Sequence, residues 1–373
     1  MTYQKVEKIY KVEKTKLTDN DINDSNPYLA SDGDISWQRA VGEDDINVWY
    51  YDYSEKDGYS EDKSVSIGKS PQLETNPYIY SKEEETSVVY ETKSDDGNSD
   101  IFYWNSEVAN KKITDTPGKE TKPEVWGDYV VYNYQEKSKG DYYKDTSPER
   151  DIYLYDIEND ETTKIATGEG DEYNHHIVGE YVVYEKESGE NSDIYLYDIA
   201  EEKTTEIATG DKNETNAQVW GNGNVVYEYE VGKDNKDIRY YDNLTGKTIV
   251  LADSKGNEIN PDISGNYITW QGWDGNDYEI YRYDIADESV KKLTDNKVDD
   301  YAPKVSTEGY VVYQQDWSED NTDVYLYTDA KTIALGNSDY NEAKPEIYGD
   351  KVTWQAWDGN DWEVYSAEIT LDF

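Results

Sequence analysis

Hydrophobic and polar residues alternate along most of this chain in short runs, which is the pattern of β-strands. The clearest run, DIYLYD, occurs at 151–156 and again at 193–198. Because successive side chains of a strand point to opposite faces, such a period indicates a strand with two distinct faces. No stretch has the period of an amphipathic helix. The pattern therefore predicts an all-β protein.

A longer unit repeats along the chain and predicts the architecture. PEVWGDYVVY (123–132) returns as PDISGNYITW (261–270) and PEIYGDKVTW (345–354). An apolar-polar-aromatic triplet occurs eight times, and it ends at Trp37, Tyr90, Tyr132, Tyr184, Tyr227, Trp270, Tyr313 and Trp354. An acidic residue then marks the third strand, at Asp45, Asp100, Asp151, Asp193, Asp237, Glu279, Asp323 and Glu363. Four short strands in about 42–52 residues match the size of a propeller blade.

The spacing between units predicts how the chain closes. The first strands begin near residues 27, 77, 123, 175, 217, 261, 303 and 345, each ten residues after the last apolar residue of the preceding segment. The segment KTKLTDN (14–20) has no complete unit before it, and the last unit has only three strands. We therefore predict one domain over 1–373, an eight-bladed β-propeller of four-stranded antiparallel blades, whose ring is closed by the N-terminal strand at 14–20. Closure would remove exposed sheet edges. Seven blades are the alternative, because the first unit is the most divergent.

The repeat resembles that of a known family. The pattern P-x-I-x-G-x-x-V-x-W, then G-N-x-D-I-Y-x-Y-D, then L-T, is similar to the TolB-like propeller repeat of archaeal and bacterial cell-surface proteins. The resemblance covers almost the whole chain. TolB itself has six blades and a separate N-terminal domain, so its role in envelope transport is not carried over. The resemblance implies an extracytoplasmic, usually non-catalytic recognition or scaffold module.

Composition narrows the classes of partner. The chain has 36 basic and 83 acidic residues, a net charge of −47, which repels phosphate backbones and anionic lipids and attracts divalent cations. It contains no cysteine, so thiolate metal sites and cysteine nucleophiles are excluded. No apolar run reaches membrane-spanning length, and the first residues are not a signal peptide. We expect no nucleic-acid partner and no membrane insertion.

Calcium is the first candidate ligand. Asp, Asn and Glu supply the hard oxygens that calcium prefers, and they collect in the loops between the second and third strands. The candidate ligands are Asp96, Asn98, Asp100, Asp274, Asp277, Asp358 and Asp361. The alternative is turn chemistry, since Asx side chains cap their own turns and Asp-Gly or Gly-Asn pairs accept positive φ.

A sugar is the second candidate ligand. Exposed indoles with neighbouring amides suit sugar rings, and three adjacent units supply both, at Trp273, Trp317 and Trp357 and at Gln271, Gln314 and Gln355. The alternative is that these tryptophans pack against neighbouring loops. The two histidines, His175 and His176, are neighbours on one strand and so point to opposite faces. They cannot form the histidine-rich metal site of propeller lyases, and a structural placement is favoured for both.

These observations favour a non-catalytic module over an enzyme. No G-x-S-x-G elbow is present, so the peptidases that carry related propellers are not matched, and no catalytic residue is assigned. We predict an extracellular or cell-surface propeller that binds protein or polysaccharide, with calcium as a candidate stabiliser. The alternative is a polysaccharide-active enzyme, a lyase or glycosidase, that uses carboxylates on the loop face or at the channel mouth.

Overall fold

The computed structural model describes residues 9–42, 45–53, 59, 64–68, 73–82, 85–94, 97–107, 110–136, 149–318, 321–336 and 338–372. These residues form strands and connecting turns, which confirms the all-β prediction. Among them there is no helix with the length and apolarity that a membrane span needs.

The strands follow one another in groups of four. The first half of the chain forms β1 (Ile9–Lys16), β2 (Asp24–Leu29), β3 (Ile35–Gly42), β4 (Asp45–Tyr51), β5 (Ser64–Ser66), β6 (Leu73–Lys82), β7 (Glu85–Lys93), β8 (Ser99–Asn105), β9 (Lys111–Lys112), β10 (Lys119–Trp126), β11 (Tyr129–Gln135), β12 (Arg150–Asp156), β13 (Glu161–Ala166), β14 (Glu172–Val178), β15 (Tyr181–Ser188) and β16 (Asn191–Asp198). The second half forms β17 (Lys203–Ala208), β18 (Glu214–Val219), β19 (Val225–Gly232), β20 (Asn235–Asp242), β21 (Lys247–Ala252), β22 (Glu258–Ser264), β23 (Tyr267–Trp273), β24 (Tyr278–Asp284), β25 (Ser289–Lys292), β26 (Asp300–Val305), β27 (Val311–Ser318), β28 (Asn321–Tyr327), β29 (Thr332–Ala334), β30 (Glu342–Tyr348), β31 (Lys351–Trp357) and β32 (Trp362–Asp372).

The strands of each predicted unit pair antiparallel with their sequence neighbours. Most units form separate four-stranded sheets, such as β14-β15-β16-β17 and β22-β23-β24-β25. The second and third units, β6–β9 and β10–β13, share one sheet because β8 and β10 form a parallel pair at Ser99 and Lys119. The first strand of every unit contacts the first strand of the next, and β30 of the last unit contacts β2 of the first.

The two ends of the chain lie in one sheet. β1 pairs antiparallel with β32, in a register that runs from Ile9 opposite Asp372 to Lys16 opposite Tyr365. The observed strand therefore ends inside the segment 14–20 in which the closing strand was predicted. After Lys16 the chain turns, and the backbone N–H of Leu17 donates to the carbonyl oxygen of Val364 at 2.8 Å.

Each unit begins with a β-bulge that reorients one side chain. The residue before the predicted start has a positive φ, between 47° and 55°, at Asn26, Asn76, Lys122, Asn174, Asn216, Asn260, Ala302 and Lys344. The strand register shifts there, as between Thr121 and Glu124 of β10. Asparagine tolerates the left-handed region better than most residues, and it occupies five of the eight positions. Because a bulge bends its strand, it changes the direction of the side chain that follows.

The core lies between neighbouring units rather than at one centre. One cluster packs Val131 and Ile152 of the third unit against Ile177 and Val182 of the fourth, all with no exposed surface. Within units, the repeated aromatic residue inside the second strand stacks on one from the third strand. The ring centroids of Trp270 and Tyr281 lie 5.8 Å apart, and their planes differ by 10°. Each unit thus buries its apolar faces only against its neighbours.

Candidate functional site

A cavity of about 460 Å³ lies where the first strands of all eight units meet. Each unit contributes the residue one place after its predicted start, and the eight together form what we call the central ring. All eight side chains are half-buried. They are Tyr28, Tyr78, Glu124, His176, Gln218, Asp262, Lys304 and Glu346.

The bulge that precedes each ring residue is held by the neighbouring unit. In six of the units, the positive-φ residue donates its backbone N–H to a side-chain oxygen from the second strand of the preceding unit. Gln355 accepts from Asn26 at 2.8 Å, and Gln271 accepts from Ala302 at 3.1 Å. Glu228 does the same for Asn260 at 2.8 Å. The orientation of the ring residues therefore depends on contacts between units.

Glu124 and His176 form a hydrogen-bonded pair on two adjacent units. The Nδ1 atom of His176 lies 2.9 Å from Oε2 of Glu124, which also accepts the backbone N–H of Ile177 at 3.2 Å. Burial, the largest influence, raises the pKa of Glu124. The imidazoles of His176 and His175 and the Ile177 N–H outweigh burial, so the pKa lies below its ordinary value. Glu124 is therefore held as the carboxylate.

The opposite side of the ring combines an ammonium with two carboxylates. Nζ of Lys304 lies 3.3 Å from Oδ1 of Asp262, whose other oxygen accepts the Val305 N–H at 2.8 Å. The charges of Asp262 and Glu346 raise the pKa of Lys304, although burial opposes them. Burial raises the pKa of Glu346, Lys304 opposes this, and Asp262 adds to it, so the pKa ends above its ordinary value. Glu346 thus holds its proton to a higher pH than an ordinary glutamate, whereas Glu124 releases its proton at a lower one.

Two tyrosines separate these carboxyl groups around the ring. The ring centroids of Tyr28 and Tyr78 lie 5.4 Å apart. Burial, followed by the charges of Glu346 and Glu124, raises the pKa of Tyr28 to about 12. Its hydroxyl is therefore protonated at neutral pH, and it interacts electrostatically with both carboxyl groups.

Aromatic side chains line the cavity at the far end of the first strands. Tyr80, Trp126, Trp220 and Tyr348 come from four units and all contact the cavity. The centroids of Tyr80 and Trp126 lie 4.9 Å apart. The cavity therefore combines acid, base and ammonium groups with flat apolar surfaces, a combination that suits a polar ligand with apolar faces.

The central ring was missed by sequence reasoning, which placed the candidate ligands in the loops. Of the two histidines, only His175 is buried among backbone groups, with Nε2 2.8 Å from the Lys122 carbonyl oxygen. Both histidines are among the residues that line the cavity, and His176 is paired with Glu124, so the structural placement favoured for both stays a prediction. The sequence does contain a signal for these residues. The position after each unit start varies from tyrosine to glutamate, histidine and lysine, whereas the positions beside it repeat from unit to unit.

The predicted sugar-binding residues fall into two groups. Trp273 and Trp317 are 38% and 53% exposed, and Trp357 is half-buried. Gln271, Gln314 and Gln355 are buried, and each accepts a backbone N–H from the next unit, so their carbonyl oxygens are already engaged. A sugar-binding platform formed by the tryptophans stays a prediction. The three glutamine amides are not available to bind the sugar beside them.

The predicted calcium ligands of the second unit contact other groups of the protein where they are described. Asp96 lies outside the described residues, Asn98 donates to the Thr116 carbonyl oxygen at 3.2 Å, and Oδ2 of Asp100 lies 3.2 Å from Nζ of Lys112.

The equivalent loops of the sixth and eighth units share one geometry. Asp274 accepts the N–H of Asn276 at 3.0 Å, and Asp358 accepts that of Asn360 at 2.9 Å. Carboxylate oxygens come within 4.8 Å of one another in the groups Asp274–Asp277–Glu279 and Asp19–Asp358–Glu363. A lysine already contacts each group, since Lys292 lies 3.0 Å from Asp274 and Lys16 lies 3.0 Å from Asp358. Asp277 and Asp361 are buried beside these pairs, and calcium at these loops stays a prediction.

Replacing Gln271 by leucine tests the link between units. The change leaves the N–H of Ala302 without its acceptor, and an unsatisfied buried polar group costs about 1–3 kcal/mol. The exposed amide of Asn260 also loses this acceptor, but it can turn to water. We expect a loss of about 2 kcal/mol in the free energy of unfolding, measured by urea titration. Gln271→Glu is the control, because Glu228 fills the equivalent role in the preceding unit. Equal losses in both variants would contradict this role.

The comparisons with known proteins find likeness in structure alone. No family model and no curated protein matches the sequence. A puromycin-hydrolysing peptidase from Mycobacterium tuberculosis matches with a TM-score of 0.61 and 10% identity, over 90% of this chain and 58% of that one. The β-propeller domain of the trilobed protease from Pyrococcus furiosus matches with a TM-score of 0.54 and 13% identity, over 80% and 95%. An oligogalacturonate lyase in complex with manganese matches with a TM-score of 0.57 and 10% identity, over 98% and 97%.

These matches establish the fold and correct the functional prediction. The chain has a β-propeller fold, and it spans 58% of the length of the peptidase that it resembles. The prediction of a non-catalytic binding or scaffold module is contradicted, because the three matching structures are a peptidase, a protease domain and a lyase. The prediction that the protein is not an enzyme is contradicted for the same reason. The alternative of a polysaccharide-active enzyme agrees better with these comparisons.

Proposed function

We propose that this protein is a polysaccharide-active enzyme of the glycosidase type, with its catalytic groups in the central ring. Glu346 is the general acid and Glu124 is the carboxylate base. The observation that carries the proposal is the opposite direction of their pKa shifts within one cavity, upward for Glu346 and downward for Glu124. Glycoside hydrolysis needs one protonated and one ionised carboxyl group on either side of the scissile bond.

Other ring residues support these two roles. His176 holds Glu124 ionised and oriented through the 2.9 Å contact. Tyr28 interacts with both carboxyl groups, so its hydroxyl is positioned to bind a substrate oxygen between them. Trp126 and Trp220 offer flat surfaces on which the apolar face of a sugar ring can stack.

Charge favours a neutral polysaccharide as the substrate. The net charge of −47 repels polyanions, and the ring itself carries three carboxyl groups, Glu124, Asp262 and Glu346, against the ammonium of Lys304. A neutral chain enters without that electrostatic cost.

A β-eliminating lyase is the second candidate, favoured by Lys304 and His176. An ammonium can bind the uronate carboxylate while an imidazole removes the neighbouring proton. The imidazolium that forms, or Glu346, can then give a proton to the glycosidic oxygen as its bond to carbon breaks. The oligogalacturonate lyase, which matches nearly the full length of both chains, adds to this candidate.

We also propose that the fold is a closed eight-bladed ring. The pairing of β1 with β32, and the contacts of each first strand with the next around to β2, support this architecture. A ring of eight explains why eight equivalent side chains meet in one cavity.

Incubation with a panel of neutral and acidic polysaccharides, including polygalacturonate, tests the function. A glycosidase releases reducing ends from a neutral member without ultraviolet absorbance, whereas elimination produces an absorbing unsaturated sugar from an acidic member. Release of neither product from any member would contradict a polysaccharide-active enzyme. Absorbing product alone would replace the glycosidase by the lyase.

A further inference from the structure

Pairs of acidic residues lie at the junctions between neighbouring units, outside the central cavity. The acid that marks the third strand of one unit meets an acid at the start of the next unit's first strand. In seven such junction pairs, the first acid raises the pKa of the second by its charge or its hydrogen bond. They are Asp100–Glu120, Asp151–Glu172, Asp193–Glu214, Asp237–Glu258, Glu279–Asp300, Asp323–Glu342 and Asp24–Glu363. In the last pair the roles are exchanged, because the first-strand acid Asp24 raises the pKa of the third-strand acid Glu363.

Four junction pairs are neutralised by a basic side chain of the same protein. Arg39 contacts Asp24 at 2.6 Å, Lys112 contacts Asp100 at 3.2 Å, Lys186 contacts Glu172 at 2.6 Å and Lys292 contacts Glu279 at 3.5 Å. Where two carboxylates are buried together, a cation beside them removes most of their mutual repulsion. At these four junctions, a lysine or arginine of the protein itself supplies the cation that offsets the repulsion.

The Asp323–Glu342 pair has no such cation among the described residues. The two residues are 4% and 2% exposed, and neither forms an ion pair with a described lysine or arginine. The charge of Lys14 interacts with Glu342, but its ammonium donates to the Ala334 carbonyl oxygen at 2.8 Å.

Two oxygens of this pair are both buried and unpartnered. Oδ1 of Asp323 and Oε2 of Glu342 lack contact with solvent and accept no hydrogen bond from an N–H or hydroxyl group. A hydrogen bond between the two carboxyl groups forms only when Glu342 carries a proton. Ser338 donates to the other oxygen of Glu342 at 2.7 Å, and the Tyr325 hydroxyl lies 3.5 Å from Oδ2 of Asp323. Two facing carboxylates and a hydroxyl form a set of hard oxygen donors that lacks only its cation.

Two other junctions, Asp193–Glu214 and Asp237–Glu258, also lack an ion pair, but the guanidinium of Arg239 acts on one acid of each. The charge of Arg239 lowers the pKa of Glu214 and of Asp237. Of the three junctions without an ion pair, Asp323–Glu342 is the one at which both acids keep a buried oxygen without a donor. An added cation would therefore gain two ligand oxygens there.

We propose that Asp323 and Glu342 bind a calcium ion between the seventh and eighth units. Calcium accepts mixed carboxylate, hydroxyl and water oxygens in flexible geometry, and it tolerates ligands from two separate strands. The ion takes the place that Arg39, Lys112, Lys186 and Lys292 occupy at the other junctions. It would stabilise the assembled ring, because the two carboxylates come together only when the units pack.

Thermal melting of the full chain with calcium and with excess chelator tests this site at pH 8. A ligand that binds only the folded state raises its stability, so we expect calcium to raise Tm by about 3 °C or more. Glu342→Gln should abolish the increase. Glu172→Gln is the matched control, since that acid belongs to a junction neutralised by Lys186, and this variant should keep the increase.

Terbium luminescence supplies a second readout that does not depend on stability. The Trp317 indole interacts with Asp323, so it should sensitise a terbium ion bound there. With excitation at a wavelength that indoles absorb and phenols do not, Trp317→Phe should lose the sensitised emission while keeping the calcium effect on Tm.

Two results would overturn the proposal. If Glu342→Gln retains the full calcium response, the ion binds elsewhere on the acidic surface. If calcium leaves Tm unchanged and Glu342→Gln raises it, the pair shares a proton instead of an ion.

Discussion

Replacing Glu346 by glutamine is expected to lower kcat on the neutral polysaccharide that the panel identifies by about 10²–10⁴-fold, with little change in KM. Glutamine preserves the shape of the side chain and its hydrogen-bonding capacity, but it cannot donate a proton to the leaving oxygen. Because burial already disfavours the charged form of Glu346, the substitution should not destabilise the fold. Initial rates of reducing-end release measure the effect.

The pH profile of the same reaction distinguishes catalysis from a structural role. Activity requires ionised Glu124 and protonated Glu346, so kcat should fall below the pKa of Glu124 and above that of Glu346. In Glu346→Gln the alkaline limb should disappear, whereas Glu124→Gln should remove the acid limb and be partly restored by an added small nucleophile such as azide.

A buried carboxyl group outside the cavity provides the control. Glu214 is buried at a junction and does not line the cavity, so Glu214→Gln should leave kcat unchanged. If Glu346→Gln retains wild-type kcat, or if Glu214→Gln loses as much activity, the assignment of the acid is wrong.

The second large effect concerns pH and stability. In the presence of excess chelator, the free energy of unfolding should be higher at pH 5 than at pH 8. Burial and the charge of a neighbouring acid raise the pKa of Glu214 to about 7, and burial does the same for Glu258. Burial and Asp32 raise the pKa of Asp34 to about 6.

The direction follows from proton uptake. The folded state binds these protons at a higher pH than the unfolded state, whose carboxyl groups have pKa values of about 4. The stabilisation is therefore complete below about pH 4 and is lost as the pH rises through 7. Each of these carboxyl groups therefore contributes stability that decreases as the pH rises, and the net charge of −47 adds repulsion in the same direction.

Urea titrations at several pH values measure this dependence. Glu214→Gln and Glu258→Gln should each flatten the curve and raise stability at pH 8, because glutamine stays neutral. A free energy of unfolding that rises between pH 5 and pH 8 would show that the pKa values of these carboxyl groups are not raised. The interpretation of the junctions as pairs of buried, mutually repelling acids would then be wrong.

Local patterns predicted the strands because they depend on near neighbours. Alternating runs such as DIYLYD at 193–198 lie within β16, and the recurring Gly-Asp and Gly-Asn pairs mark the turns between strands. The marker acids Glu279 and Asp323 were visible as repeats as well. Their partners Asp300 and Glu342 were not recognised, because nothing in a linear pattern shows which link lies beside which third strand.

By itself, the sequence determined the β-strands, the length of the repeating unit and its approximate boundaries, since a two-residue period and turn residues act over a few positions. Only the tertiary structure decided that Tyr28, Glu124, His176, Lys304 and Glu346 share one cavity. Those residues are separated by tens to hundreds of positions, and they meet because each bulge turns one side chain inward and the units are arranged around a common centre. Their pKa values follow from that convergence, because burial and neighbouring charges exist only after the units pack.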